Sequence, residues 1–505
     1  MRHDIHDLRA RIDAAQVYEL AHRTPLQLVP KLSRELGRRI WLKREDLQDV
    51  FSFKIRGAAN RMAGLGEIAR VQGVCAASAG NHAQGVAKAA AHYGIDALIF
   101  MPVTTPTIKV AAVEALGGKT RLVGDNYDEA CDAAIEHSQK SGAIFIHPFD
   151  ELDVIAGQGT VAKEIFEQAT RKIDAIYVCT GGGGLVSGIG AYAKSVSPDT
   201  RIVAAEPLGA ATLKAAMAAG QPVDLDHVDG FADGVAVRRI GTLTYALCCD
   251  VVDDCVTVTN DEICAAVRDI FEATRTVVEP AGAVALAALR RDVADGRAPD
   301  GDCVVTVSGA NVNFDRIGHM VERAELGAGE EMLFGATIPE QRGAFQRFVE
   351  ALGHRAVTEF SYRYQNDAQA HLLVGLKIKS GAERDNVMND LNAANVAALD
   401  LSNDRLAKRH LRHMIGGDPD TTMREVLYRV EFPERPGALG QFLSALDARW
   451  NISLFHYRNH GAAEGHVLCG FQLPKDDKSA LEESLSAIGF PVWEETDNPA
   501  TQLFL

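Results

Sequence analysis

A lysine set between two apolar residues, in Ser52-Phe53-Lys54-Ile55-Arg56-Gly57-Ala58, is placed for chemistry. Desolvation disfavours the ammonium form, so such a lysine keeps a fraction of neutral amine able to attack an aldehyde. The plainer reading is a surface lysine whose stem covers its neighbours. Three other stretches decide between them.

In Ala77-Ser78-Ala79-Gly80-Asn81-His82-Ala83-Gln84-Gly85 a strand-like run ends in small polar residues and an Ala-rich helical sequence follows. The free N–H groups and positive end of that helix suit a carboxylate or phenolate oxygen, with Ser78 and Asn81 adding side-chain hydrogen bonds. An ordinary N-cap is the alternative. Thr180-Gly181-Gly182-Gly183-Gly184-Leu185 follows the apolar run Ala175–Cys179. Four glycines in a row cost backbone entropy, which positive φ and close approach to a phosphate would justify. The G-x-G-x-x-G spacing of a dinucleotide site is missing, which disfavours a nicotinamide oxidoreductase. In Val305-Thr306-Val307-Ser308-Gly309-Ala310-Asn311 a β-branched strand again enters a small-residue turn, with Ser308 at its carboxyl end. Ligands of α/β sheets collect in that crevice, so residues from distant parts of the chain can converge there.

The elements that must position these residues are short apolar strands alternating with Ala-rich helices. Ala97–Met101, Ala143–Ile146, Ala175–Cys179, Ile202–Ala205 and Cys303–Val307 are continuous apolar runs of strand length. Runs of this kind between helical windows imply an α/β fold of mainly parallel strands covered on both faces. Residues 1–20 read as one amphipathic helix, and the alternation lasts to about Glu322. The uncharged run from Ala175 to Ala193 holds six glycines and a strand-then-turn pattern, so it reads as a buried strand and loop, not a membrane span.

The four stretches together resemble pyridoxal-phosphate enzymes of the tryptophan-synthase-β type, and within them the biosynthetic threonine dehydratases (threonine deaminases). The resemblance continues through Leu42-Lys43-Arg44-Glu45-Asp46, Ile155-Ala156-Gly157-Gln158-Gly159-Thr160, Val278-Glu279-Pro280-Ala281-Gly282-Ala283 and Ser308 to Asn313, nearly the whole chain. It implies pyridoxal 5'-phosphate held covalently by Lys54, with Phe53 beside the ring and Asn81 on the phenolic oxygen. Gly181, Gly182, Gly183, Gly184 and Leu185 would hold the phosphate, and Ser308 the pyridine nitrogen. It further implies an ammonia-lyase that converts L-threonine to 2-oxobutanoate and ammonia, the committed step of isoleucine biosynthesis, with L-serine a second substrate and Lys54 the base for the α-proton. Ser78 and Asn81 would share the substrate carboxylate. Glu279 keeps two readings: a buried structural carboxylate, or recognition of the substrate's amine or hydroxyl. A serine dehydratase or serine racemase of the same fold would share these stretches, and a non-catalytic amino-acid sensor would have lost the lysine or the glycine run.

Composition narrows the field. The 505 residues, 47% apolar, suffice for several cores. With 52 basic against 68 acidic residues the net charge is −16 and no basic tract exists, so nucleic acid is not an expected partner. Nine cysteines without a C-x-x-C pair or a metal-like spacing to histidine suggest a reduced, cytoplasmic protein with no metal site. The charged start, Met1-Arg2-His3-Asp4, has no signal-peptide core, and neither targeting segment nor membrane association is expected.

After Arg323 the pattern changes, and Glu325–Glu331 reads as a linker. A shift of 94 residues lays Pro339, Gly343, Phe348 and Leu352 on Pro433, Gly437, Phe442 and Leu446, and a shift of 95 lays Phe360, Tyr362 and Arg363 on Phe455, Tyr457 and Arg458. Two copies of one module therefore follow the catalytic part. Each reads strand, turn, helix, strand, strand, helix, which resembles the ACT amino-acid-sensing domain. The expected domains are 1–322 (catalytic), 331–402 and 425–496 (ACT-like). A purely oligomerising module is the alternative. The resemblance implies inhibition by isoleucine, opposition by valine, and a homotetramer. The Phe-x-Tyr-Arg segments and the turns at Gly343 and Gly437 are the candidate effector contacts.

Overall fold

The computed structural model describes residues 5–327 and then 331–339, 348, 351–352, 355, 357–364, 369–378, 381–404, 406–407, 411, 424–433, 450–458, 464–473 and 477–504. The chain divides into two compact units, Met1–Ala324 and Glu325–Leu505.

In the first unit the strands are β1 (Leu26–Leu28), β2 (Arg39–Arg44), β3 (Val74–Ala77), β4 (Ala97–Met101), β5 (Lys119–Leu122), β6 (Ile144–Phe145), β7 (Ala175–Cys179), β8 (Arg201–Pro207), β9 (Asp254–Val258) and β10 (Asp302–Val307). They form a six-stranded sheet in the order β1-β2-β10-β7-β8-β9 and a four-stranded sheet in the order β5-β4-β3-β6. Every pairing is parallel except β1 with β2. Every residue of β3, β7 and β10 is buried, as parallel strands covered by helices must be, which explains their unbroken apolar runs.

Small residues let the helices that carry the key loops cross closely. A Cβ on Gly157, in helix Leu152–Gln168, would lie 2.5 Å from the Arg56 carbonyl oxygen of helix Lys54–Ala63. One on Gly188, in helix Gly184–Val196, would lie 2.6 Å from the Ile155 carbonyl oxygen. Helix Leu152–Gln168 thus fixes the helix that begins at Lys54 against the one that begins at the glycine run.

A buried ionic cluster sets the same placement. Arg56 donates to both oxygens of Glu45 (2.7 and 2.8 Å) and both of Glu164 (2.6 and 3.0 Å). Lys43 of β2 donates to Glu164 (2.5 Å) and to the Thr24 carbonyl (2.6 Å). All four charged side chains are excluded from solvent and their formal charges cancel, as buried charges require.

Of the helix expected over residues 1–20, the described residues show Ile5–Asp13; Leu8 and Ile12 anchor it in the core, and the chain turns at Ala14, so residues 14–20 do not continue it. The expected linker at 325–331 is helical to Gly327, continuing Phe314–Gly327, and β11 (Glu331–Pro339) starts at Glu331. No described helix is long and apolar enough to cross a membrane.

The second unit holds β11, β12 (Val357–Tyr364), β13 (Gln369–Lys377) and β14 (Ala397–Asp400), then β15 (Arg424–Pro433), β16 (Asn451–Arg458), β17 (Glu464–Leu473) and β18 (Val492–Glu494). The sheet orders are β12-β13-β11-β14 and β16-β17-β15-β18, the same topology twice. The repeat extends to single contacts. Leu333 N–H donates to Ser402 Oγ (3.0 Å), and Leu427 N–H to Thr496 Oγ1 (3.0 Å), each partner 94 residues on. Besides its own core, each module contributes to a shared apolar cluster of Leu333, Leu373, Leu401, Leu468, Ala500 and Leu503. Through it the last helix, Pro499–Phe504, packs on β13 of the first module. Phe360, Tyr362 and Arg363 fall on β12, and Phe455, Tyr457 and Arg458 on β16; their side chains, and the turns at Gly343 and Gly437, lie outside the described residues.

Candidate active site

Strand β10 delivers Ser308 beside the lysine. Phe53 N–H donates to the Ser308 carbonyl (3.1 Å), and Ser52 pairs with Gly309 as an isolated bridge, so the start of helix Lys54–Ala63 is tied to the end of β10. Phe53 and Ile55 are buried, as the sequence suggested. Lys54 Nζ donates to the Pro148 carbonyl (2.9 Å) and lies 5.3 Å from the Phe53 ring centre. Desolvation lowers its pKa from 10.5 to about 8, against the weaker pull of Cys179 and Glu279. At pH 7 roughly a tenth of such an amine is neutral, against fewer than one in a thousand for an ordinary lysine. The neighbouring Cys179 thiol is pushed up to about 11 by burial, with a hydrogen bond from Ser308 opposing, and stays protonated.

The glycine run leaves β7 and ends at the first turn of helix Gly184–Val196. Only Gly183, the N-cap, has positive φ (92°), so the expectation that the run as a whole serves left-handed backbone is corrected. Its neighbours are glycine because of close approach. A Cβ on Gly182 would lie 2.3 Å from the Phe149 ring, and one on Gly181 2.6 Å from the Val235 carbonyl oxygen. Thr244 Oγ1 donates to the Gly182 carbonyl (2.6 Å) and Thr212 Oγ1 to that of Gly181 (3.1 Å). The loop's carbonyls are thus held by protein groups, while no side chain caps the helix and its first N–H groups keep their positive end for an anion.

Helix Asn81–Tyr93 also starts without a side-chain cap. Neither Ser78 nor Asn81 fills the capping role left open by the sequence. Ser78 Oγ accepts from Gly80 N–H (3.2 Å), and Asn81 Nδ2 donates to Glu279 Oε1 (2.7 Å). Glu279, extended (φ −68°, ψ 156°) before Pro280, is buried. Burial, then Asp233, raises its pKa from 4.5 to about 7, while Asn81, Lys109 and Arg316 pull it back. Asp233 bonds Lys109 (2.7 Å) and approaches Arg316 (3.4 Å).

Sequence reasoning missed the wall opposite. His147 Nδ1 accepts from Phe149 N–H (3.3 Å) and Asp150 N–H (2.8 Å), and this hairpin-like turn sets Pro148 against Lys54 and Phe149 against Gly182. Burial lowers His147 to about 4 and His82 to about 3, so two neutral imidazoles flank the lysine. The signal was present: His147-Pro148-Phe149-Asp150 follows an apolar strand run, as the other site stretches do.

The site fits pyridoxal phosphate. Lys54 has no carboxylate partner among the described residues and offers a partly neutral amine to the aldehyde. The bare start of helix Gly184–Val196 suits the phosphate, and Ser308, buried at a strand's carboxyl end, suits the ring nitrogen. Fold and site together define a pyridoxal-phosphate enzyme of the tryptophan-synthase-β type.

Comparison with known proteins narrows the class. Residues 17–309 match the family of pyridoxal-phosphate dependent enzymes, and residues 322–411 and 419–505 each match the C-terminal regulatory domain of threonine dehydratase. The chain is 48% identical over 493 residues to the biosynthetic L-threonine dehydratase IlvA of Pasteurella multocida, covering 97% of this chain and 96% of that one. It is 47% identical to its Escherichia coli counterpart over 97% of this chain and 95% of that one. Among solved structures, the processed form of threonine deaminase isoform 2 from Solanum lycopersicum matches with a TM-score of 0.62 at 43% identity, over 63% of this chain and 93% of that one. A serine racemase from Dictyostelium discoideum matches at 0.55 and 31%, over 62% and 98%. The chain belongs to the biosynthetic threonine dehydratases, within the pyridoxal-phosphate dependent enzymes.

Proposed function

We infer that this protein dehydrates and deaminates L-threonine, releasing 2-oxobutanoate and ammonia, with L-serine as a second substrate. The observation that carries this is kinship along the whole chain. The match to biosynthetic threonine dehydratases spans 97% of it, both C-terminal modules included, whereas a serine racemase matched over 98% of its own length covers only 62% of this chain. A bare sensor is disfavoured by an intact lysine and glycine run.

Pyridoxal phosphate, when bound, supplies the electron sink that acidifies the substrate's α-proton. The chain supplies position and protons. Lys54 would hold the cofactor's aldehyde, and its Nζ, when free of it, would be the base for the substrate's α-proton; a pKa of about 8 suits a base working near neutral pH. The N–H groups from Gly181 to Leu185 would hold the phosphate, Asn81 the phenolic oxygen and Ser308 the pyridine nitrogen, with Phe53 beside the ring. A neutral serine there cannot hold a pyridinium as an aspartate would, which favours elimination over transamination. The uncapped start of helix Asn81–Tyr93, with Ser78, receives the substrate carboxylate. Glu279, near half-protonation at pH 7, faces the substrate's amine or hydroxyl.

The paired modules, which match a regulatory domain family, support a regulated enzyme on the way to isoleucine: isoleucine would inhibit and valine oppose it, with the Phe360–Arg363 and Phe455–Arg458 segments as the candidate effector contacts. Isoleucine must then bind the less active arrangement better, by about 1–3 kcal/mol for ordinary coupling. The protein is a cytoplasmic homotetramer. The deciding experiment measures 2-oxobutanoate from threonine, with and without isoleucine, for wild type and Lys54→Ala. Wild-type turnover suppressed by isoleucine and a folded but inactive variant are expected; a variant near wild-type activity would remove the lysine from the mechanism.

A further inference from the structure

An asparagine amide is useful at a cofactor only if it faces the right way, and here its direction is set by a backbone carbonyl two residues away in a hydrogen-bond chain. The Val50 carbonyl oxygen can only accept. Asn311 Nδ2 donates to it (2.8 Å), which fixes the orientation of the Asn311 amide. The second N–H of the same nitrogen donates to Asn81 Oδ1 (2.6 Å), which in turn fixes Asn81. Its Nδ2 must then point the other way, where one N–H meets Glu279 Oε1 (2.7 Å). That carboxyl oxygen accepts in either protonation state. The other N–H of Asn81 makes no protein hydrogen bond among the described residues and is a buried donor left for a ligand.

We propose that Asn311 is a positioning residue: by donating to Asn81 Oδ1 it holds the Asn81 amide so that a nitrogen, not an oxygen, faces the anionic oxygen of the bound cofactor. This rests on the reading of the site as a pyridoxal-phosphate site. Without the pin, an asparagine amide can turn over at little cost, since its two ends are nearly the same shape. Turned over, it would present Oδ1 to the cofactor oxygen, an acceptor–acceptor contact in place of a hydrogen bond, would set its Nδ2 against Asn311 Nδ2, and would lose its donation to Glu279. The pin itself is well anchored: Val50 is buried, and the adjoining Ala310 N–H donates to the Phe51 carbonyl (2.8 Å), so Asn311 is held where its amide can reach both partners.

The substitutions Asn311→Asp and Asn311→Ala separate orientation from packing. Aspartate has the shape of asparagine but only accepts, so it draws Asn81 Nδ2 toward itself and reverses the amide. Alanine merely releases it. The apoproteins are titrated with pyridoxal phosphate, following the absorbance maximum of the bound cofactor and its dissociation constant, and each apoprotein's melting temperature is taken alongside. Expected are a weakening of about tenfold or more and a shifted maximum for Asn311→Asp, a smaller weakening for Asn311→Ala, and melting temperatures that do not follow that order. Equal affinities and an unshifted maximum in both variants would overturn the proposal, as would affinities that simply track melting temperature. A wild-type protein that takes up no cofactor would overturn the reading of the site, and this inference with it.

Discussion

Replacing Arg56 by methionine, close in length but uncharged, tests whether the buried cluster behind Lys54 is as tightly balanced as its geometry requires. Arg56 makes four hydrogen bonds of 2.6–3.0 Å to Glu45 and Glu164, all three side chains being at most 1% exposed. After the substitution Lys43 alone faces two carboxylates, and since it bonds Glu164, Glu45 is left with only the Thr24 hydroxyl (2.5 Å) and the Gln48 amide (3.1 Å). Removing one partner of a buried pair costs about 3–5 kcal/mol. At roughly 2 °C per kcal/mol for a unit of this size, the expected fall in melting temperature is about 6–10 °C at pH 8. The pH dependence gives the sharper check. In the wild type, burial pushes the Glu45 carboxyl up but Arg56 outweighs it and the folded pKa lies below the usual 4.5, so its contribution holds above that value and is lost on acidification. In the variant burial, the largest influence on this carboxyl, is opposed only by the more distant Lys43 and its folded pKa is expected above 4.5; its contribution is intact at low pH and lost as pH rises. Between pH 8 and pH 5 the variant's trend shrinks the deficit, and below about 4.5 the loss of the wild-type contribution shrinks it further, as read by thermal melts of the two proteins side by side. A deficit that is the same at both pH values, or one below about 1 kcal/mol, would refute the argument.

Gly182→Val should strip the protein of cofactor on dialysis, because its Cβ would overlap the Phe149 ring at 2.3 Å; retention measured by absorbance at wild-type level would place the phosphate elsewhere. Cofactor capture by the apoprotein should speed up with pH, reach half its limit near 8 and level off above that, following deprotonation of Lys54, whereas stopped-flow rates still climbing steeply at pH 10 would mean an ordinary, solvated lysine. Arg363→Ala should weaken inhibition by isoleucine more than it changes uninhibited turnover, and initial rates across an isoleucine series would expose the reverse.

Strands whose two faces are both covered announce themselves as apolar runs, and for that reason β4, β7, β8 and β10 were legible before any coordinates. Strand β2, Arg-Ile-Trp-Leu-Lys-Arg, was not, because Lys43 and Arg44 are buried in it by ion pairs, and a buried charge looks in sequence like an exposed one. β5, Lys-Thr-Arg-Leu, is an edge strand with no buried residue and nothing to signal it. At the site, the lysine, the glycine run and Ser308 stood out because each sits at a change from strand or turn to helix, where unusual residues are conspicuous. The Asn311–Asn81–Glu279 chain joins residues 230 and 198 positions apart and has no local pattern to betray it. The capping of helix Thr242–Val251 by Asp150, which bonds Thr242 N–H (3.1 Å) and Thr244 N–H (2.9 Å) from 92 and 94 residues away, was hidden for the same reason.

The crossing of the chain's last helix onto β13 decides how the duplicated half can behave as a material. Leu333 and Leu373 of the first module are covered in part by Ala500 and Leu503, more than 120 positions further along the chain. Without Pro499–Phe504 the first module would keep part of that sheet face bare, an exposed apolar surface of the kind that invites aggregation. Once the strap is laid, the two copies share one block of apolar side chains and should melt in a single transition, so that tightening either copy is felt as stiffness in the other.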